Sequence, residues 1–296
     1  MKAAGRSSPV TLNTMVFATD FSDSAKKAQS YATGLAKRFG AKLFVVHAKE
    51  PPNYALPPES WRSADDVDAR KIHELQKSLP KGFPGLKSEF FVGEGSAWQV
   101  VESVLKNDKV DLIVVGTRGR TGVAKLMLGS KAEEILRRSS CPVLTVGPHS
   151  QEITGGEKEL TEILYATDFT PESQAAAPYA VSIALALGAH LNLLHVVEEQ
   201  KMGELVNPEE IIPSSARLLE TLIPEEAGFW REPRCLVETG VAGEKILEVA
   251  ERIHASLIVL GVRKPTGIAA AATHLGPGMA HRVIAAATCP VLTVRH

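Results

Sequence analysis

Four residues at fixed spacing carry the clearest chemistry in the sequence: Gly116, Gly119, Gly129 and Ser130, within GTRGRTGVAKLMLGSK. Gly116 ends a buried strand, and without a Cβ it lets a ligand approach the backbone closely. Gly119 can take positive φ, which turns successive backbone N–H groups inward as an anion nest. Gly129-Ser130 opens a helix, whose unpaired N–H groups and dipole favour negative charge. Ser130 adds a hydroxyl donor. Arg118, Arg120, Lys125 and Lys131 supply positive charge, and no acid occurs from Gly116 to Lys131. Together these residues suit phosphate. A plainer reading competes, because Ser130 with Glu133 spells a helix capping box. Capping accounts for Gly129-Ser130 but not for the earlier glycines or the one-signed charge. Generic phosphate motifs do not account for the set. There is no GxxxxGK[ST], and GEGSAW (Gly93–Trp98) fails GxGxxG at its last position.

The elements that must position these residues are written twice. ATDF occurs at Ala18–Phe21 and Ala166–Phe169, and CPVLTV at Cys141–Val146 and Cys289–Val294. Between them Tyr31 matches Tyr179, Gly40 matches Gly188, His47 matches His195, and VDLIVVG matches ASLIVLG. The offset stays near 148 residues, so the chain is a tandem duplication. In the first copy β-branched runs predict strands at Thr14–Thr19, Lys42–His47, Ser88–Val92, Asp111–Gly116 and Pro142–Val146. Helical patterns lie between them at Ser22–Phe39, Ser63–Leu79, Ser96–Asn107 and Ser130–Ser139, with capping boxes at Ser96…Gln99 and Ser130…Glu133. In the second copy Thr170-Pro171-Glu172 places an N-cap, a proline at the first helical position and an acid in the first turn.

Continuous apolar runs such as LIVVG suit strands buried on both faces, and strict strand–helix alternation gives a parallel sheet. The expected fold class is α/β: two tandem doubly wound five-stranded parallel-sheet (Rossmann-like) domains. They are expected at 1–147 and 160–296, joined by a Gly- and Pro-containing polar linker at 148–159. The Pro-rich segments Lys49–Trp61 and Glu198–Pro208 should arch over the carboxyl ends of the strands. Ligands of such sheets bind there, where the strand order reverses. Strands one and four usually flank that point, which brings Asp20 and Gly116 to one crevice. Asp20 is also placed to make a local cap, two residues before its helix N-cap.

Taken together, these residues resemble the universal stress protein family. The family's nucleotide motif G-x2-G-x9-G-[ST] is matched without a gap by Gly116, Gly119, Gly129 and Ser130, and ATDFS, VVHA and CPVLTV are similar as well. The resemblance spans nearly the whole chain as two copies. It implies ATP in the crevice, with Mg2+ or Mn2+ held mainly by the phosphates. By the same resemblance Asp20 holds the nucleoside and the backbone of Ala48 contacts adenine. Gly116, Gly119, Gly129 and Ser130 wrap the ribose and phosphates. It also implies that the last strands pair antiparallel, here within one chain as an internal pseudo-dimer. Dimerisation of whole chains stays open.

The second copy departs from the motif. Gly261 survives, but Lys264 stands where Gly119 would be, and the Gly-Ser pair is read as Gly276-Pro277. Proline removes a backbone N–H, and lysine resists positive φ. Asp168 remains, and Gly278 could partly rebuild a helix entrance. The expectation is one nucleotide site, in the N-terminal domain.

The remaining residues set limits. Net charge is -1, which argues against a nucleic-acid binder that relies on a global positive field. The longest apolar stretch, Ala180–Val197, is interrupted by polar residues and reads as helix, turn and strand, so no membrane partner is expected. Cys141, Cys235 and Cys289 are too scattered for a disulfide framework, which together with the lack of a signal-peptide pattern suggests a cytoplasmic protein. His47 and His195 read as hydrogen-bonded structural residues, and no residue pattern suggests a protein-built metal site or an activated nucleophile. The function expected is an ATP-binding stress-response sensor or regulator. The alternatives are a slow ATPase or nucleotide-transferring enzyme of the same fold, and a nucleotide-free interaction scaffold. The protein partner stays unknown.

Overall fold

The computed structural model describes residues 10–49, 68–79, 84–117, 128–151, 160–198, 208–224, 227–263 and 278–295. Gly119, the 152–159 part of the linker and most of the two Pro-rich segments lie outside the described residues. The chain divides into two compact units, residues 12–148 forming the body of one and residues 160–295 that of the other. Residues 10 and 11 belong with the second unit, where the Val10 N–H donates to Ser182 Oγ at 2.8 Å.

The first unit runs β1 (Thr14–Ala18), α1 (Asp23–Phe39), β2 (Lys42–Lys49), α2 (68–79), β3 (Ser88–Glu94), α3 (Ala97–Asn107), β4 (Leu112–Gly116), α4 (Ser130–Arg138) and β5 (Val143–Val146). Its strand order is β3-β2-β1-β4-β5, with every pair parallel. The chain builds outward from β1 to β2 and β3, then crosses back to β4 on the other side. Helices on both faces explain why the central strands are apolar throughout: Met15, Val16, Phe17, Ile113 and Val114 are all buried.

Local chemistry sets the helix ends. Ser22 caps α1, its Oγ accepting from the Ala25 N–H at 3.2 Å. Asp23 lies in the first turn and Lys37 and Arg38 in the last, in line with the helix dipole. The helix closes at Gly40, whose φ of 66° is the left-handed conformation glycine adopts without a Cβ penalty. The capping box expected at Ser96 and Gln99 is formed reciprocally.

The second unit repeats the plan: β6 (Glu162–Ala166), α5 (Pro171–Gln174), α6 (Ala177–Leu187), β7 (His190–Val197), α7 (Pro208–Glu220), β8 (Arg234–Thr239), α8 (Ala242–Arg252), β9 (Leu257–Val262), α9 (Met279–Ala286) and β10 (Val291–Arg295). Its strand order, β8-β7-β6-β9-β10, is again wholly parallel. One difference is visible in the sequence. The helix opened by Thr170 and Pro171 breaks after Gln174, because Pro178 has no N–H to return to the Gln174 carbonyl. Its counterpart α1 is continuous over 17 residues. Among the described residues no helix is long and apolar enough to cross a membrane.

Candidate functional site

In the first unit the order reverses between β1 and β4, so their carboxyl ends border one crevice. The Thr19 N–H donates to the Val46 carbonyl and the Thr117 N–H to the Val146 carbonyl, which carries each parallel ladder just past its strand. The chain leaves β4 at Thr117 and is tied back there, since the Gly129 N–H donates to the Thr117 carbonyl at 2.7 Å. Gly116, Gly129 and Ser130 are therefore together at the end of β4. Asp20 follows the adjacent β1, and Ala48 lies near the end of β2, in register with Gly93. Gly119 is outside the described residues.

Two of these positions act differently from their sequence reading. A Cβ on Gly116 would stand 2.8 Å from the backbone carbon of Ser24 and 2.9 Å from the Ala25 nitrogen. The close approach that this glycine permits is therefore that of α1. At the start of α4 the N-cap is Gly129, with φ -62° and ψ 142°, so Ser130 is the first helical residue and the expected Ser130…Glu133 box does not form. Its exposed hydroxyl is not spent as the cap, and the acid of that turn, Glu133, is buried. Gly129 puts no side chain across the helix entrance, whose first-turn N–H groups are unpaired within an α-helix.

Asp20 is partly committed to its own turn: Oδ1 accepts from the Ser22 N–H at 3.0 Å. Between them Phe21 sits at φ 61°, a region costly for a bulky residue, held by its N–H to Thr19 Oγ1 at 3.1 Å. Its ring packs on His47 at 4.7 Å between centroids. His47 is 4% exposed, with Nδ1 2.8 Å from the Thr19 carbonyl and Nε2 3.2 Å from Asp68 Oδ2. The second unit repeats the strained turn with Phe169 at φ 61° and the His195 ring at 4.4 Å. The repeated ATDF was the sequence signal for this device, although a backbone angle cannot be read from residue types.

The corresponding crevice of the second unit, about 100 Å³, is lined among others by Asp168, Glu172, Leu194, Ile246, Arg263 and Met279. Asp168 Oδ1 accepts from the Thr170 N–H at 3.1 Å and the Thr170 hydroxyl at 2.5 Å. Burial pushes its carboxyl up, but hydrogen bonds from the Thr170 and Ser173 side chains and from backbone N–H groups outweigh this and hold it below the ordinary aspartate value. Gly261 repeats the role of Gly116: a Cβ there would overlap the backbone of Glu172 and Ser173. Glu172 stands where the first unit has Ser24, and it pairs with Arg263 at 3.6 Å. The entrance of α9 is capped by Gly278, at φ -67° and ψ 165°. The bodies of the two helices are in register, Ile135 and Leu136 matching Val283 and Ile284 and C-cap Ser139 matching Ala287, so the second helix opens one residue later, with Gly278 at the place of Ser130. The serine hydroxyl has no equivalent at this helix entrance, and the Met279 thioether lines the crevice.

The thiols of Cys141 and Cys289 are buried, and burial pushes both up to about 12, as inert packing residues require.

Comparison with known proteins agrees with this anatomy. The universal stress protein family matches residues 11–147 and again 159–295. A universal stress protein of Methanocaldococcus jannaschii is 32% identical over 142 residues, covering 47% of this chain and 84% of that one. A universal stress protein of Mycobacterium tuberculosis is 25% identical over 274 residues, covering 89% of this chain and 90% of that one. Among solved structures, a universal stress protein from Archaeoglobus fulgidus superposes with a TM-score of 0.70 at 19% identity, covering 97% of this chain and 99% of that chain, a likeness of fold.

Proposed function

The chain belongs to the universal stress protein family, and from that premise we propose that it is a cytoplasmic, ATP-binding stress-response sensor or regulator with its nucleotide in the first unit. One observation carries the choice of unit. Glu172 stands in the second crevice where the first unit has Ser24, and the helix that borders the crevice opens with Ser130 in the first unit and with Met279 in the second.

The first crevice offers groups that suit the ligand the family implies. The entrance of α4 presents first-turn N–H groups that the helix itself does not use, a dipole of the right sign and the Ser130 hydroxyl. The Asp20 carboxylate suits a ribose hydroxyl, and Ala48 offers its backbone to adenine. Gly119, Gly129 and Ser130 would wrap ribose and phosphates, while Gly116 lets α1 pack against the end of β4 beside them. ATP would bring a triphosphate with Mg2+ or Mn2+ held mainly by its own oxygens. Besides Asp168, the counterpart of Asp20, the second crevice carries the further carboxylate of Glu172, to which Arg263 is already paired. Bringing like charges together in a half-buried crevice opposes binding there.

Native mass spectrometry of the full chain with ATP and Mg2+ tests the proposal. One nucleotide per chain is expected. Two would remove the distinction between the units, and none at millimolar ATP would overturn the reading.

A further inference from the structure

With Asp68 ionised, both ring nitrogens of His47 face acceptors. The Thr19 carbonyl can only accept, so Nδ1 facing it carries a hydrogen. Ionised Asp68 can also only accept, so Nε2 facing it carries one too. Removing either proton points a lone pair at an oxygen in a site that is 4% exposed. The pair joins three elements: β2 through His47, the β1–α1 turn through Thr19, and α2 through Asp68. In the second unit His195 keeps the carbonyl contact to Thr167 at 2.8 Å and the phenylalanine packing. Among the described residues no carboxylate is paired with it.

Resting on the nucleotide reading above, we propose that His47 and Asp68 are a proton-dependent positioning pair for the first crevice. The imidazolium clamps the Thr19–Asp20 turn and α2 together, and loss of its proton loosens the turn that presents Asp20. Neither residue touches the nucleotide in this proposal. Among the described residues, the charged groups on these same elements include Asp20 on the turn, Lys71 on α2 and Lys49 two residues along β2. Lys71 Nζ lies 5.8 Å from the Phe21 ring centroid. Asp23 of α1 is almost fully exposed and paired with Lys26, and β3 presents Val92 in register with His47. Asp68 is the group that distinguishes the two histidines. Asp68→Asn tests it without changing shape, because an amide can donate to a neutral Nε2.

The experiment measures MgATP affinity of the full chain from pH 5.5 to 8.5, a range that brackets ordinary imidazole titration. ATP titrates in this range too, so wild type is read against Asp68→Asn. The expected result is that the affinity ratio of wild type to variant falls about fivefold across the range, within the tenfold per pH unit that one coupled proton allows. In parallel, 15N NMR without nucleotide follows the two ring nitrogens of His47, whose titration should move to lower pH in Asp68→Asn. Superimposable affinity profiles overturn the proposal. If wild type binds no nucleotide at any pH, the nucleotide reading fails, and an unmoved His47 titration then overturns the pair as well.

Discussion

Two crevices built on one plan have diverged at their edges and not in their frame. Both units keep a glycine at the end of the fourth strand, because the first helix packs its backbone against that spot. Both keep the Thr-Asp-Phe turn with phenylalanine at φ 61° over a histidine. What changes is the set of groups facing the opening. Serine becomes glutamate at position 172, and the first residue of the last helix changes from Ser130 to Met279. Duplication preserves what the fold needs in each copy, while the ligand's requirements can lapse in one. Residues common to both crevices serve the frame whether or not a ligand also uses them, and residues that differ are the better guides to which copy binds.

The largest effect should come from breaking what the units share. Gly116→Val and Gly261→Val each push side-chain atoms into helix backbone, and each should cost about 3 kcal/mol or more in chemical unfolding. If Gly116 served a ligand alone, its variant would lose nucleotide and keep full stability. Next in size is transplanting the difference. Ser24→Glu places the second unit's charge in the first crevice and should weaken ATP binding about 10- to 100-fold by calorimetric titration. An unchanged Kd would refute the electrostatic part of the comparison. Ser130→Met and Asp20→Asn each remove one polar contact and should weaken ATP about tenfold. Met279→Ser is expected to leave the stoichiometry at one nucleotide, since Glu172 remains.

Much of this architecture was legible in the residues, and the exceptions have physical causes. Apolar runs such as Leu112–Gly116 announce a buried parallel strand because both of its faces are covered. The capping box at Ser96 and Gln99 formed as its pattern predicts, yet Ser130 and Glu133 carry the same signature without forming one. Glycine can serve as an N-cap, so the helix begins one residue earlier than the side chains suggest. More residues separate β9 from its helix than separate β4 from α4, which makes Gly276-Pro277 look like the partner of Gly129-Ser130, while the N-cap is Gly278 and the helix starts at Met279. The strain at Phe21 is a backbone property that no side chain spells out. The pairing of His47 with Asp68 joins residues 21 positions apart, across a segment of weak pattern.

The smallest effect separates the two aspartates that the repeat makes look equivalent. Asp168 receives hydrogen bonds from Thr170 and Ser173, and these hold its carboxyl below the ordinary value of 3.8 despite the opposing effect of burial. A group depressed in the folded state stabilises above its unfolded value and loses that contribution as pH falls through its folded one. Asp168→Asn should therefore be less stable than wild type at neutral pH. The carboxylate is half-exposed and screened by solvent, so the difference should be only a few tenths of a kcal/mol. It should shrink as the pH of urea unfolding is lowered below the ordinary aspartate value. The same variant should keep the wild-type ATP affinity, in contrast to Asp20→Asn. An Asp168→Asn protein that loses nucleotide as Asp20→Asn does, with its stability untouched, would show that the second aspartate still serves a ligand, and the asymmetry between the units would have to be abandoned.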